Sequence, residues 1–130
     1  MKAFVDTNVF VASLTDEPGR GDVATEFLNR DYDFCTSVLN LMEIRSVMTK
    51  KKRVEQDRVE AVLDDIADNV DVYAPEISDQ IAAYQRQRDS LLYTMDCVLL
   101  ALATDVEATF VTYDSELLDN GGVAPSDVVE

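Results

Sequence analysis

Four acidic residues stand where an ordinary surface acid is not expected. Asp6 falls at the end of an apolar run, and Glu43 lies among apolar neighbours. Asp96 directly precedes the apolar run Cys97 to Ala103, and Asp114 follows the run Thr109 to Thr112. The chain has no histidine, so it can build no Ser-His-Asp triad, no Cys-His pair and no imidazole metal site. Its two cysteines, Cys35 and Cys97, are too far apart in sequence for a C-x-x-C site and too few for a structural zinc site. They read as small buried hydrophobes. Carboxylates, hydroxyls, amines and guanidiniums remain, a set suited to a hard, oxygen-seeking cation such as Mg²⁺ or Mn²⁺.

Each acid also has a simpler reading. Asp6 and Asp96 stand where helix caps are expected. Glu43 shares a helix side with Asn40, three residues earlier, so the two make either a polar notch or half of a structural salt bridge. Asp114 alone is a turn acid, with Glu116 and Asp119 as spare carboxylates nearby. Taken together, the four fall after the first strand, on a helix that reads as buried, at a helix start and after the fourth strand. Converging acids repel one another unless a cation neutralises them, so the combination makes physical sense chiefly as a metal site.

The elements that must position these acids follow from the apolar pattern. Ala3 to Val5, Phe34 to Thr36, Val70 to Tyr73 and Ala108 to Thr112 read as strands. A polar turn at Asp6-Thr7-Asn8 leads from the first strand into a helix, and Pro18 and Gly19 mark a loop. Asp22 reads as the cap of a helix ending near Arg30 with Val23, Ala24, Phe27 and Leu28 on one face. Ser37 opens a helix to about Lys50 whose apolar residues, Val38, Leu39, Leu41, Met42, Ile44, Val47 and Met48, point in most directions and imply burial. Glu55 to Ala67 is amphipathic. Pro75 starts a helix to about Asp89 with Ile77, Ile81 and Tyr84 as its apolar side, and Thr94 and Asp96 open a strongly apolar one. A final short segment centres on Val123. Strands alternating with helices predict an α/β fold, a small parallel β-sheet with helices on both faces, whose ligands collect at the carboxyl ends of the strands.

With 130 residues, 47% of them hydrophobic, the expectation is one domain over residues 1–130 with a core that needs no disulfide. No apolar run approaches the roughly 20 residues that span a bilayer. Asp6 and Asn8 interrupt the stretch a secretory signal would need, so a cytoplasmic location is expected.

Eleven basic residues against 26 acidic ones give a net charge of −15. Such a surface repels nucleic acid in dilute salt. At about 1 M salt the Debye length falls to roughly 3 Å and the repulsion fades. Two readings follow: a salt-adapted, halophilic surface or an ordinary acidic cytosolic protein. One stretch departs from the pattern. Arg45 to Arg58 holds six basic residues, Lys50, Lys51, Lys52 and Arg53 among them, against Glu55 and Asp57. It is either the complement of a helix dipole or an RNA contact.

The strings Val5-Asp6-Thr7-Asn8, Asn40-Leu41-Met42-Glu43, Met95-Asp96 before Leu99, Ala101 and Ala103, and Val111-Thr112-Tyr113-Asp114 resemble the PIN domain, in the expected order and over nearly the whole chain. Free-standing domains of this size are most similar to VapC-type toxins, the ribonucleases of toxin-antitoxin pairs. The resemblance implies an α/β/α sandwich and a metal-dependent endoribonuclease. It also implies that Asp6, Glu43, Asp96 and Asp114 bind magnesium or manganese, with the Thr112 hydroxyl nearby and Thr7, Asn8 and Asn40 as supporting polar groups. A homodimer and a small antitoxin that blocks the site are implied as well. The string Ser115-Glu116-Leu117-Leu118-Asp119 offers no unique fifth acid, and either Glu116 or Asp119 could assist.

Rival functions require features this chain lacks. A signalling receiver domain needs adjacent acids near the first strand and a late lysine, but the last lysine is Lys52. An Asp-x-Asp phosphatase is disfavoured because Asn8, not an acid, follows Asp6 by two. The alternative that stays open is a catalytically silent PIN fold acting as an RNA-binding or interaction module.

Overall fold

The β-branched and aromatic residues near the N-terminus favour a pleated, buried conformation, and they form strand β1 (Lys2–Val5). In the computed structural model, which describes residues 1–129, β1 leads to α1 (Thr7–Leu14), α2 (Gly21–Leu28), β2 (Asp33–Ser37), α3 (Val38–Ser46) and α4 (Gln56–Asn69). The chain continues through β3 (Asp71–Tyr73), α5 (Ile77–Ser90), α6 (Thr94–Asp105), β4 (Thr109–Val111), α7 (Ser115–Leu118) and α8 (Pro125–Val129). The four strands pair in parallel in the order β3-β2-β1-β4. Val123 adds one parallel bridge to Val111, so the segment around it extends the β4 edge by a single pair.

Alternation along the strands builds two cores. Ala3, Val5 and Val111 join Val9, Phe10, Ala24, Phe27, Ile44 and Val59 from α1 to α4. Phe4, Cys35 and Phe110 join Ala83, Cys97, Leu100 and Leu102 from α5 and α6. Helices therefore cover both faces, as a fully parallel sheet requires. Both cysteines are free and buried. The order places β1 between β2 and β4, and a crevice opens at the carboxyl ends of β1 and β4, where the winding reverses. No helix among the described residues is long and apolar enough to cross a membrane.

Several local expectations need correction. The α3 helix is not buried on all sides: Ile44 is inside, but Val38 and Met42 are 38% and 58% exposed and Glu43 faces solvent. Beyond Ser46 the helix widens into a π-helical turn, Val47–Lys51, closed by Lys52 N–H donating to the Val47 carbonyl at 3.0 Å. In α5 the expected core face is turned outward. Ile77, Ile81 and Tyr84 are exposed, while Ala83 and Asp79 are buried, because a small residue lets α5 approach α6 closely. Asp79 is buried as the partner of Glu76 in a reciprocal cap, its carboxylate accepting from the Glu76 N–H at 2.8 Å. Asp22 lies in the first turn of α2 rather than at its cap, which is Arg20.

Candidate metal centre

Asp6 follows β1 directly, and the residue is 6% exposed. Oδ1 accepts from the Thr7 N–H at 2.9 Å, so the residue does cap α1. The same carboxylate receives much more. Asn40 Nδ2 donates to Oδ1 at 3.3 Å, Thr112 Oγ1 donates to Oδ2 at 2.8 Å, and Asn8 Nδ2 reaches Oδ2 at 3.4 Å. Capping and a polar site thus coexist in one side chain.

The donors are themselves held. Asn40 Oδ1 accepts from Ser37 Oγ at 2.7 Å, and its amide also donates to Thr7 Oγ1 at 3.1 Å. Ser37 reads from the sequence as a helix cap, which it is; that it also orients Asn40 is legible only in three dimensions. Thr112 Oγ1 accepts from the Asp114 N–H at 3.0 Å and from Asn8 Nδ2 at 3.2 Å. Gly122 packs against this threonine so closely that a β-carbon there would lie 2.9 Å from Thr112 Cγ2 and 2.8 Å from the Leu117 carbonyl oxygen.

Asp6, Glu43, Asp96 and Asp114 all line one cleft of about 310 Å³, together with Thr7, Asn8 and Asn40. Asp96 sits in the first turn of α6 and makes no cap bond, so the capping alternative does not apply to it. Asp114 caps α7, accepting from the N–H groups of Glu116 and Leu117 at 2.9 and 3.2 Å. Glu43 has no ion-pair partner among the described residues, which removes the salt-bridge alternative. Glu17, from the turn after α1, also lines the cleft; no periodicity marks a loop acid in the sequence.

These acids act on one another. Burial raises Asp6 to a pKa of about 6 against the pull of the Thr112 hydroxyl and the Thr7 N–H, and the charges of Glu43 and Asp96 push the same way. Burial also raises Asp96, helped by Asp114, Glu43 and Glu116. Glu116 is therefore near enough to press on Asp96, whereas Asp119 is not among the groups that do. An all-oxygen donor set with mutual repulsion and no basic residue in its lining suits a hard divalent cation. The acids form the walls of the cleft rather than a contracted knot: among the described residues, no three acidic or cysteine side chains make a ready-made ion cluster.

The basic stretch follows a cleft-lining residue in the chain. Val47, first residue of the π-helical turn, lines it, and Lys50, Lys51, Lys52 and Arg53 follow, all exposed and without ion pairs among the described residues. Lys50 and Lys51 also occupy the last turn, where they complement the helix dipole.

Parallel sheet, two helical layers and an oxygen-lined acidic cleft at the strand ends define an α/β domain of the kind that handles charged ligands at a topological switch point. The chain belongs to the PIN domain family, whose profile matches residues 3–122. PIN domains are in general nucleases. The fold is shared with a toxin-antitoxin complex from Klebsiella pneumoniae (TM-score 0.75, 20% identity, 95% of this chain and 97% of that one). It is shared also with the sarcin-ricin-loop-cleaving toxin VapC20 of Mycobacterium tuberculosis (TM-score 0.76, 17% identity, 93% and 96%). A third likeness is to VapBC2 of Rickettsia felis, bound to a DNA fragment from its promoter (TM-score 0.69, 17% identity, 92% of each chain). A comparison with curated protein sequences gives no significant match.

Proposed function

We propose that residues 1–130 are a single metal-dependent endoribonuclease domain, the toxin of a toxin-antitoxin pair, hydrolysing RNA phosphodiester bonds. The observation that carries this reading is that four acids distant in sequence line one cleft at the strand ends with no basic partner among the described residues. Asp6, Asp96 and Asp114 would hold Mg²⁺ or Mn²⁺ directly or through water, with Glu43 as a further ligand or as the group that orients the attacking water. The ion, when bound, lowers the pKa of water and offsets charge developing on the phosphate.

The chain's own residues prepare the rest. Thr112, Asn8 and Asn40 fix the Asp6 carboxylate so that its oxygens need not reorganise on binding. Glu43, exposed in the same cleft, would either join the ligand set or take a proton from an attacking water. Lys50 to Arg53 would hold the RNA backbone; that hold weakens in strong salt, so selectivity would rest on RNA shape and unstacked bases.

Partners follow the same reading. Apolar side chains are exposed on α3 (Val38, Met42), on α5 (Ile77, Ile81, Tyr84), in the turn into α6 (Leu91, Tyr93) and in the first turn of α6 (Met95). These side chains would suit a second copy of the chain, and Met95, which lines the cleft, stands where an antitoxin would block access. Among the similar structures, the Klebsiella pneumoniae one is a toxin-antitoxin complex, which supports this assignment. The acidic surface is read as an adaptation to a salt-rich cytoplasm. The test is incubation of purified protein with structured and unstructured RNAs in Mg²⁺, Mn²⁺ or EDTA, beside an Asp6→Asn control. Cleavage should need the metal and vanish in the control; metal-independent cutting that survives the substitution would overturn the reading.

A further inference from the structure

We propose that Arg20, carried on the ring of Tyr113, binds a phosphate of the substrate strand at the rim of the acidic cleft, a role that rests on the ribonuclease reading above. A polyanion entering the cleft meets carboxylates and no basic side chain in its lining. Arg20 stands at the edge. Its Nη1 lies 3.5 Å from Oε1 of Glu17, which lines the cleft, and its guanidinium carbon lies 4.9 Å above the centre of the Tyr113 ring. Tyr113 in turn is tied to both sides. Its hydroxyl donates to the Arg20 carbonyl at 3.1 Å, and its N–H donates to Asn8 Oδ1 at 3.0 Å. Asn8 lines the cleft and contacts Thr112 and Asp6, so the perch of Arg20 is registered to the candidate ligands.

The turn that presents Arg20 is specified by its backbone. Gly19 has φ +82°, and a β-carbon on Gly21 would lie 2.8 Å from the Asp16 carbonyl carbon. Gly21 N–H donates to the Glu17 carbonyl at 2.7 Å, and Glu17 N–H donates to the Ala12 carbonyl at 2.9 Å. Arg20 is the residue before α2, yet its side chain makes no cap bond, and Glu17 is its one side-chain hydrogen-bond partner among the described residues. That ion pair is long and half exposed, and such pairs contribute little. Most of the guanidinium fork is thus unused. A phosphate offers the fork two oxygens, and a guanidinium laid flat on a ring also offers its plane to an unstacked base. With Lys50 to Arg53 beyond Val47, the chain would offer the strand a second cationic hold.

The test uses the full chain and a fluorescently labelled single-stranded RNA. Kd is read by anisotropy in EDTA across a range of KCl, and kcat and KM are read in Mn²⁺. Arg20→Ala should raise Kd and KM about tenfold in dilute salt with kcat nearly unchanged. It should also reduce the slope of log affinity against log salt by about 0.7, one phosphate contact on a single strand. Arg20→Lys should keep the slope and recover only part of the affinity. Tyr113→Phe keeps the ring but loses the hydroxyl's bond to the Arg20 carbonyl and should lose part of the affinity, and Tyr113→Leu should lose more by unseating Arg20. Parent-like KM, Kd and slope in Arg20→Ala would overturn the proposal, as would a lowered thermal midpoint with an unchanged slope. If the parent protein cuts RNA and Arg20→Ala is indistinguishable, only this proposal falls. If the parent neither binds nor cuts the strand, the ribonuclease reading falls with it.

Discussion

Thr112 donates its hydroxyl hydrogen to Asp6 across 2.8 Å, joining the carboxyl ends of two neighbouring strands from residues 106 positions apart. Both side chains are buried, and the same hydroxyl receives the Asp114 N–H. One oxygen atom therefore positions two of the four cleft acids.

Thr112→Val keeps the shape and removes this oxygen. The expected result is a loss of about 10- to 100-fold in Mn²⁺ affinity, as for other groups that orient a ligand. A stability cost of about 1–3 kcal/mol should accompany it, since buried polar atoms lose a partner. Calorimetric titration and thermal unfolding read the two effects, and Thr112→Ser should recover most of both. Unchanged metal affinity in the valine variant would contradict the positioning role.

The raised pKa of Asp6 has a definite sign. An acid that titrates at about 6 when folded and 3.8 otherwise costs nothing below both values. Its cost grows as the pH rises between them and is complete above, at about 3 kcal/mol. Asp6→Asn should therefore stabilise the metal-free protein at pH 7.5, and the gain should shrink towards pH 4. In the parent protein the proton competes with the metal, so Mn²⁺ affinity should fall by about tenfold per pH unit below 6. A stability difference between the two proteins that is flat with pH would refute this.

The formal charge of −15 sets a salt response. Self-repulsion should fade as the Debye length shortens, raising the thermal midpoint in EDTA by roughly 5–10 °C between 0.1 and 2 M KCl. A midpoint that stays level or falls over that range would rule out the salt-adapted surface.

The exposed face of α5 predicts an assembly. Ile77 and Ile81 are 77% and 57% exposed, and changing both to Glu should leave the fold intact while converting a dimer to monomer in sedimentation. A parent protein that is already monomeric, or a double variant that still dimerises, would remove α5 from the interface.

What the sequence reveals and what it hides both have local causes. Asp6 and Asp114 are legible because the end of an apolar strand is a short-range signal and the parallel sheet brings such ends together. Periodicity shows that Ile77, Ile81 and Tyr84 share a face, but it does not say whether that face meets this chain's core or another surface; Ala83 sets the actual contact with α6. Apolar residues around α3 suggest burial for the same reason, yet Met42 and Glu43 face outward. Glu17 and Arg20 come from a turn whose geometry depends on backbone contacts with Ala12 and Asp16, and no spacing rule reports them.

The proposed chemistry requires Asp6, Glu43, Asp96 and Asp114 to hold one divalent centre between them. Mn²⁺ titration of the RNA-free protein and of Asp6→Asn, Glu43→Gln, Asp96→Asn and Asp114→Asn, each checked for folding by circular dichroism, tests it most directly. The parent should bind, and every folded variant should bind more weakly or not at all. Parent-like Mn²⁺ affinity in two or more of the four would contradict it.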